Sequence, residues 1–156
     1  MDDQNIKKTK KIIENIIYIT LATVDANGNP WNSPVFAAFD EKYNFYWRSA
    51  KDAMHSQNIR TNNKVFIAIY DSTIPFGAGE GVYIKAKVTE LHNINEIVHA
   101  ITILDSRAPK KLGKADNYIE TSPRSIYKAT PEKIWINVDG EIDGFFVDKR
   151  LEIKLP

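Results

Sequence analysis

Cysteine is absent from this 156-residue sequence, and so is any long apolar run. Without cysteine the chain can form no disulfide, no thiolate metal site and no cysteine nucleophile. No segment is long and apolar enough to span a bilayer, and the N-terminal residues are too polar for a signal peptide. We therefore expect a cytoplasmic protein with no membrane contact.

An excess of charge of either sign is also missing. The 21 lysines and arginines are balanced by 20 aspartates and glutamates, so we expect no nucleic-acid partner. The 3 histidines lack the spacing and carboxylate partners of a metal site, and we expect no bound metal. With 43% hydrophobic and 26% charged residues, the composition is typical of a single globular domain covering residues 1–156.

Short strand patterns joined by turns dominate the sequence. Alternating, β-branched or aromatic residues predict strands at residues 18–24, 31–39, 45–47, 65–70, 82–91, 125–129, 133–138 and 150–155. We expect the first three strands to form a meander. Helical spacing predicts helices at 4–15, 52–59 and 93–105. This pattern favours a mainly β (α+β) fold, in which antiparallel strands form a closed or nearly closed barrel with a few flanking helices.

Three local expectations follow from the spacing. Asp52 is the expected N-cap of the second helix. The third helix is expected to bury one stripe of apolar side chains, namely Ile94, Ile97, Val98, Ile101 and Leu104. The glycine-containing segment 71–81 is interpreted as a loop, either a plain connection or a mobile flap beside a ligand, and residues 106–120 are expected to be irregular.

The second strand contains the first candidate ligand-binding motif, Asn32-Ser33-Pro34-Val35. Proline has no N–H to donate to a neighbouring strand, so this section is expected to lie at an edge or facing a gap. A ligand can fill such a gap, and Asn32 and Ser33 supply polar groups there. The alternative is an ordinary edge strand that begins at Val35.

The end of the third strand contains the second candidate motif, which includes Trp47, Arg48, Ser49, Lys51 and His55. A helix that begins here offers N–H groups and a favourable dipole to an anion. His55 follows Lys51 by four residues, so both side chains are expected on one side of a turn. The pattern predicts a phosphate site, and the alternative is a solvated basic turn.

These motifs occur in a recognisable order. They comprise the strand at 19–24, an Asn-Gly-Asn-Pro turn, Ser33-Pro34-Val35, the run 45–49 with Lys51, His55 and Asn58, and the segment 125–135. In this order they resemble the FMN-binding split-barrel family that includes pyridoxamine 5′-phosphate oxidase. The resemblance extends from about residue 16 to residue 138.

The resemblance implies that FMN is the cofactor. It implies that the isoalloxazine ring lies along the second strand, at Asn32, Ser33, Pro34 and Val35. The phosphate is then implied to lie at the end of the third strand, at Trp47, Arg48, Ser49 and Lys51. His55 occupies a position where many members of the family have lysine, and a bound dianion would favour the charged form of its imidazole.

The resemblance also implies a homodimer with the flavin at the interface. Trp135 corresponds to an aromatic residue that reaches the flavin of the partner subunit, and core packing is the alternative for this side chain. A surplus of aromatic and apolar side chains over the needs of one small barrel supports the dimer.

The C-terminal segment departs from the family's oxidase. That enzyme holds its substrate with an arginine–histidine pair, but no histidine follows His99 in this sequence. We therefore expect an FMN-dependent oxidoreductase that is not a true pyridoxamine 5′-phosphate oxidase and that uses another small-molecule substrate or electron donor. The alternative is a non-catalytic binder of flavin, haem or deazaflavin. No side chain is an evident acid or base, so we name no catalytic residue.

Overall fold

The computed structural model describes residues 2–155, which contain eight β-strands, three α-helices and one 3-10 helix. The strands are β1 Tyr18–Val24, β2 Pro30–Phe36, β3 Ala38–Phe39, β4 Phe45–Ala50, β5 Lys64–Tyr70, β6 Gly81–Glu90, β7 Arg124–Ile142 and β8 Phe145–Ile153. The helices are α1 Asp2–Asn15, α2 Met54–Thr61 and α3 Ile94–Asp105, and the 3-10 helix is Ala115–Tyr118. No helix in the described chain is long and apolar enough to cross a membrane.

All strand pairs are antiparallel, and the strand order is β2-β1-β5-β6-β7-β4-β3, with β8 paired only to β7. The sheet curls around one apolar interior, so β2 at one end contacts β4, the strand next to the other end, without pairing with it. The predicted mainly β, antiparallel fold with a few flanking helices is therefore confirmed.

The predicted meander of the first three strands is only partly correct. The β1–β2 and β3–β4 hairpins are present. Between them, however, the chain crosses from one end of the sheet to the other at Ala37, whose N–H donates to the carbonyl of Ile17 at 3.0 Å. Residues 31–39 were expected to form one strand because a period of two does not show where a strand changes neighbours.

The C-terminal strands differ more from the prediction. Instead of three separate strands, β7 is continuous and returns into β8 through the two residues Asp143 and Gly144, with φ of 50° and 79°. Asp-Gly is a strong signal for such a hairpin, and the sequence interpretation missed it. Pro131 is accommodated within β7 by a bulge, since the register shifts between Lys85 and Ala86 on β6.

Two apolar clusters stabilise the fold. One fills the barrel interior, and the other lies between the sheet and α3. In α3, Ile97, Ile101 and Leu104 are buried as expected, but Ile94 and Val98 are 41% and 51% exposed. The expected stripe was too wide because α3 contacts the sheet along a narrow line.

The start of α2 also differs from the prediction. The N-cap position belongs to Ala53 and has no side-chain cap hydrogen bond, so Asp52 is not the cap. Tertiary contacts fix the preceding turn instead, because the N–H of Lys51 donates to the carbonyl of Pro123 at 2.9 Å. Sequence reasoning could not anticipate a bond between positions so far apart.

Arg107 links segments that are distant in sequence. Its Nη2 donates to the carbonyl of Glu14 at 2.7 Å, and its Nη1 donates to the carbonyl of Ala37 at 3.2 Å. The guanidinium also lies 5.3 Å from the ring centroid of Phe39. The irregular segment after α3 therefore joins the end of α1 to the crossing between β2 and β3.

We expect Arg107→Ala to lower the free energy of unfolding by about 1.5–3 kcal/mol, since charge-assisted hydrogen bonds to two separate segments are lost. Urea unfolding measures this change. The neighbouring Lys110→Ala is the control, because Lys110 is exposed and its loss should change stability by less than about 0.5 kcal/mol. Equal stability of the two variants would contradict the role given to Arg107.

Candidate functional site

The outer edge of β2 carries the motif that the sequence singled out. The N–H of Asp25 donates to the carbonyl of Asn29, which makes these residues the first hydrogen-bonded pair of the β1–β2 hairpin. Antiparallel pairs alternate between bonded and non-bonded, so Pro30, Asn32 and Pro34 direct their backbone groups away from β1. Between Pro30 and Pro34 the open edge therefore presents one N–H, that of Asn32, among several carbonyls.

Both prolines of β2 lie where their missing N–H costs no bond to β1. They remove the donors that another strand would need on the outer edge, which keeps β2 from pairing with β4. The predicted gap beside this motif is therefore present. The alternative, a strand that begins only at Val35, is wrong because β2 begins at Pro30.

The expected site residues divide between the two faces of the strands. Ser33 and Val35 on β2, like Trp47 and Ser49 on β4, face the barrel interior, where Val35 and Trp47 join the core. The intervening residues, Asn32, Pro34 and Arg48, face the opposite side and are exposed. A ligand that binds on one face of the gap can therefore contact the side chains of that face directly. It reaches the side chains of the other face only at the strand edges.

His55 spans the gap from within. Its Nδ1 lies 3.1 Å from Ser33 Oγ on β2, and its Nε2 lies 2.7 Å from Ser49 Oγ on β4. Ser33 Oγ also accepts a hydrogen bond from Trp31 Nε1 at 3.0 Å. The imidazole is 8% exposed, and its burial lowers the pKa of His55 below the ordinary value. We therefore treat it as neutral at pH 7.

The side chain of Lys51 points away from that of His55. Lys51 lies in the turn before α2, and its Nζ donates to the carbonyl of Glu120 at 2.8 Å. The expectation that both side chains share one side of a turn is therefore wrong, because the helix begins three residues after Lys51. Lys51 remains close in sequence to Ser49, at the mouth of the gap.

Helix α2 closes one end of the barrel and is held there by polar contacts. Asn58 Nδ2 donates to Thr23 Oγ1 on β1 at 3.0 Å, and both residues are buried. The first bond that enters the helix is from the N–H of Gln57 to the carbonyl of Ala53. The backbone N–H groups of residues 54–56 therefore lie outside the helical ladder, at the end of the helix that favours anions.

Arg48 lines a groove on the outer face, which the sequence interpretation did not anticipate. The groove has a volume of about 460 Å³, and its apolar walls include Tyr18, Phe36 and Leu104. Lys110 and Lys111 lie along it with Arg48 and make it positively charged. The only signal in the sequence was a basic pair in a segment that was expected to be irregular.

Trp135 lies apart from the other expected site residues. It is half-buried on the outer face of the sheet and stacks on Phe66, with ring centroids 6.3 Å apart. It does not belong to the barrel core, so the core-packing alternative is wrong. It lies six residues beyond Ala129, the last residue of β7 that pairs with β4, which is about 20 Å along the strand. Trp135 therefore lies away from the gap between β2 and β4 of its own chain.

We expect the buried His55 to make folding weaker in acid. Its pKa is lowered on folding, so the unfolded chain binds the proton more readily and stability is lost as the pH falls below about 6.5. Urea unfolding of the wild type and His55→Gln at pH 7.5 and 5.5 measures this. The wild type should lose more stability than the variant, and equal losses would contradict a buried neutral imidazole.

Comparison with known proteins identifies the fold and family. A family model described as pyridoxamine 5′-phosphate oxidase matches residues 6–137. HutZ, the haem storage protein from Vibrio cholerae, is 20% identical with a TM-score of 0.69, and the match covers 82% of this chain and 91% of that one. A haem-binding protein from Mycobacterium smegmatis is 19% identical with a TM-score of 0.68, over 94% of this chain and 57% of that one.

A further similar structure comes from Clostridium acetobutylicum, a protein related to general stress protein 26 of B. subtilis and described as of the pyridoxinephosphate oxidase family. It is 14% identical with a TM-score of 0.65, and the match covers 97% of each chain. A search of curated proteins finds no match. At these identities the similar structures show the fold, and the family model extends over most of the chain. The chain therefore belongs to the pyridoxamine 5′-phosphate oxidase family and has its split-barrel fold.

Proposed function

We propose that the protein binds FMN at the gap between β2 and β4 and acts as an FMN-dependent oxidoreductase on a small molecule. The observation that carries this proposal is the open edge of β2, which faces Ser49 and the start of α2 across the gap. One side of the gap offers coplanar peptide groups that suit the isoalloxazine ring, and the other side offers hydrogen-bond donors that suit the phosphate. FMN contains both of these groups.

The edge of β2 suits the ring system of a flavin. The pyrimidine part of an isoalloxazine carries an N–H between two carbonyl oxygens, so one flavin carbonyl can accept from the N–H of Asn32 while the flavin N–H donates to a carbonyl of the same edge. Beyond Asn32, the aromatic pair Tyr18 and Phe36 meets edge to face at 6.1 Å. These rings line the groove beside Arg48 and offer an apolar surface to a planar ligand.

The start of α2 suits the phosphate. Ser49 supplies a hydroxyl, and the first turn of the helix supplies N–H groups and a favourable dipole. Lys51 adds a positive charge, since within residues 2–155 its ammonium bonds only the carbonyl of Glu120 and can exchange that partner for a dianion. Arg48 lies on the same strand but on the outer face, and it contributes charge to the groove.

FMN, when bound, supplies the hydride and electron chemistry, and the chain supplies its position and surroundings. No acidic or basic side chain of the described site is placed as a proton donor or acceptor, because His55 lies behind Ser49. Both ring nitrogens of His55 are bonded to serines, so this residue is not free to coordinate haem iron. That observation favours flavin over haem for this chain.

We expect FMN to bind more tightly than riboflavin, by a factor on the order of 10 to 100, since riboflavin lacks the phosphate and a charged hydrogen bond contributes about 1.5–3 kcal/mol. Titrations followed by flavin fluorescence measure both dissociation constants. The double variant Ser49→Ala with Lys51→Ala should lose this preference and still bind riboflavin.

Equal affinity of the wild type for both flavins would exclude the phosphate site at α2. The same FMN-loaded protein distinguishes an enzyme from a binder. Bleaching of the yellow colour by a reduced nicotinamide under anaerobic conditions supports an oxidoreductase. A flavin that remains oxidised with such donors supports the non-catalytic alternative.

We further propose that the protein is a homodimer and that Trp135 covers the flavin of the partner subunit. The outer sheet face has small side chains at its centre, where Thr20 of β1 pairs with Ala68 of β5. Phe66 beside them is 42% exposed, and Trp135 stacks on it. A flat face of small and aromatic side chains is suited to a second copy of the chain.

The tip of the β7–β8 hairpin supports the same arrangement. The hairpin extends beyond the start of β6 at Gly81, so its last residues pair only with each other. Phe145 and Phe146 at this tip are 74% and 72% exposed. A two-stranded ribbon with exposed aromatic side chains gains stability when another surface covers it.

We expect light scattering of the FMN-loaded protein to give the mass of a dimer. Ala68→Arg places a charge at the centre of the outer face and should give a monomer with weakened flavin binding. Trp135→Ala should weaken FMN binding, whereas Phe76→Ala, which removes a fully exposed aromatic side chain from the 71–81 loop, should not. A wild-type monomer that retains flavin would contradict both the proposed dimer and the proposed role of Trp135.

A further inference from the structure

We propose that the hydrogen-bond chain Trp31–Ser33–His55–Ser49 holds His55 as the neutral Nε2–H tautomer and thereby directs the hydroxyl proton of Ser49 toward an anionic ligand oxygen. The inference rests on the proposed function, because it takes the phosphate of FMN as that anion. In this arrangement His55 is a positioning residue that acts through Ser49 and does not touch the ligand.

The hydrogen-bond chain begins at Trp31, whose indole N–H has an unambiguous role. An indole N–H can only donate, so Ser33 Oγ accepts the bond from Trp31 Nε1 at 3.0 Å. Accepting that bond polarises the hydroxyl and makes its own proton a better donor. His55 Nδ1 lies 3.1 Å away and is the next partner recorded for this hydroxyl in the described chain. The proton of Ser33 therefore points to Nδ1.

The imidazole in turn fixes the direction of the hydrogen bond to Ser49 on the opposite strand. When Nδ1 accepts a hydrogen bond, a neutral imidazole carries its proton on Nε2. Nε2 then donates to Ser49 Oγ at 2.7 Å. Ser49 thus receives a bond from behind, and its own proton is free to turn toward the mouth of the gap. Ser49 is half-buried, so its hydroxyl can reach a ligand there.

The other neutral tautomer has the opposite effect. A proton on Nδ1 makes Ser33 Oγ accept from both Trp31 and His55, and the proton of Ser33 then has no recorded partner within residues 2–155. Nε2 would accept the proton of Ser49, which would then present only lone pairs to the ligand. Lone pairs repel a phosphate oxygen. The identity of the protonated nitrogen therefore decides whether Ser49 attracts or repels an anion.

The position of the imidazole disfavours the charged form. His55 is buried between two neutral hydroxyl groups, and neither contact supplies a negative charge to stabilise an imidazolium. The expected interaction of a charged His55 with the phosphate is therefore replaced by an indirect one. The contacts of His55 with Ser33 and Ser49 therefore hold β2 near β4 and also orient the hydroxyl proton of Ser49.

Nitrogen-15 NMR of the FMN complex tests the tautomer directly. Two-bond correlations from the ring hydrogens distinguish Nε2–H, Nδ1–H and the imidazolium, and His55→Gln identifies which of the 3 histidine signals belongs to His55. We expect the Nε2–H pattern at pH 7. Either of the other two patterns in the FMN complex would overturn the proposal.

Binding measurements test its consequence. Ser33→Ala and Trp31→Phe remove links of the chain that lie behind Ser49, and we expect each to reduce the preference for FMN over riboflavin by a factor on the order of 3 to 10. Riboflavin affinity should not change in Trp31→Phe, because Trp31 is not among the residues placed along the flavin ring. Ser106→Ala is the matched control, because its hydroxyl donates to the local carbonyl of Ile103 at the end of α3, and it should leave the preference intact.

The outcomes separate this inference from the proposed function. Equal binding of FMN and riboflavin by the wild type would contradict the proposed phosphate site and, with it, the proposed hydrogen-bond chain. A wild type that prefers FMN, together with an unchanged preference in Ser33→Ala, would overturn the hydrogen-bond chain and leave the phosphate site in place. A reduced preference in Ser33→Ala with a shift of His55 away from the Nε2–H pattern supports the chain.

Discussion

The structure depends on two neighbouring strand edges that do not pair. Pro30 and Pro34 withhold the N–H groups that β4 would need from the outer edge of β2, so the barrel remains split. A closed ladder at this place would satisfy all backbone groups and leave no room for a ligand. The gap therefore comes from two residues that cannot donate, and the proposed flavin site is built from the groups they leave unpaired.

A gap in a small barrel needs a link that holds its sides without filling the outer face. His55 provides this link because an imidazole has one polar atom at each side of the ring, and these atoms reach Ser33 and Ser49 on opposite strands. Its burial lowers the pKa of His55 and so favours the neutral form, and the link weakens in acid. The same geometry gives the two serines unequal roles, since a neutral imidazole donates on one side only.

The second half of the proposed site comes from another part of the sheet. Trp135 stacks on Phe66 on the outer face, and it lies about 20 Å along β7 from Ala129, the last residue that pairs with β4. In the proposed dimer this aromatic surface covers the ligand bound to the other copy of the chain. The small side chains at the centre of the face allow two sheets to approach closely, and the exposed tip of the β7–β8 hairpin offers further apolar contact.

The sequence alone determined the elements whose causes are local. The strand β1, the Asn-Gly turn and the helix α3 follow from periodicity and turn chemistry, and Pro34 by itself indicated an open edge. The tertiary structure decided the rest, because strand order, the crossing at Ala37 and the direction of each side chain depend on contacts between distant residues. His55 and Lys51 are four positions apart, yet one bonds β2 and β4 while the other bonds Glu120.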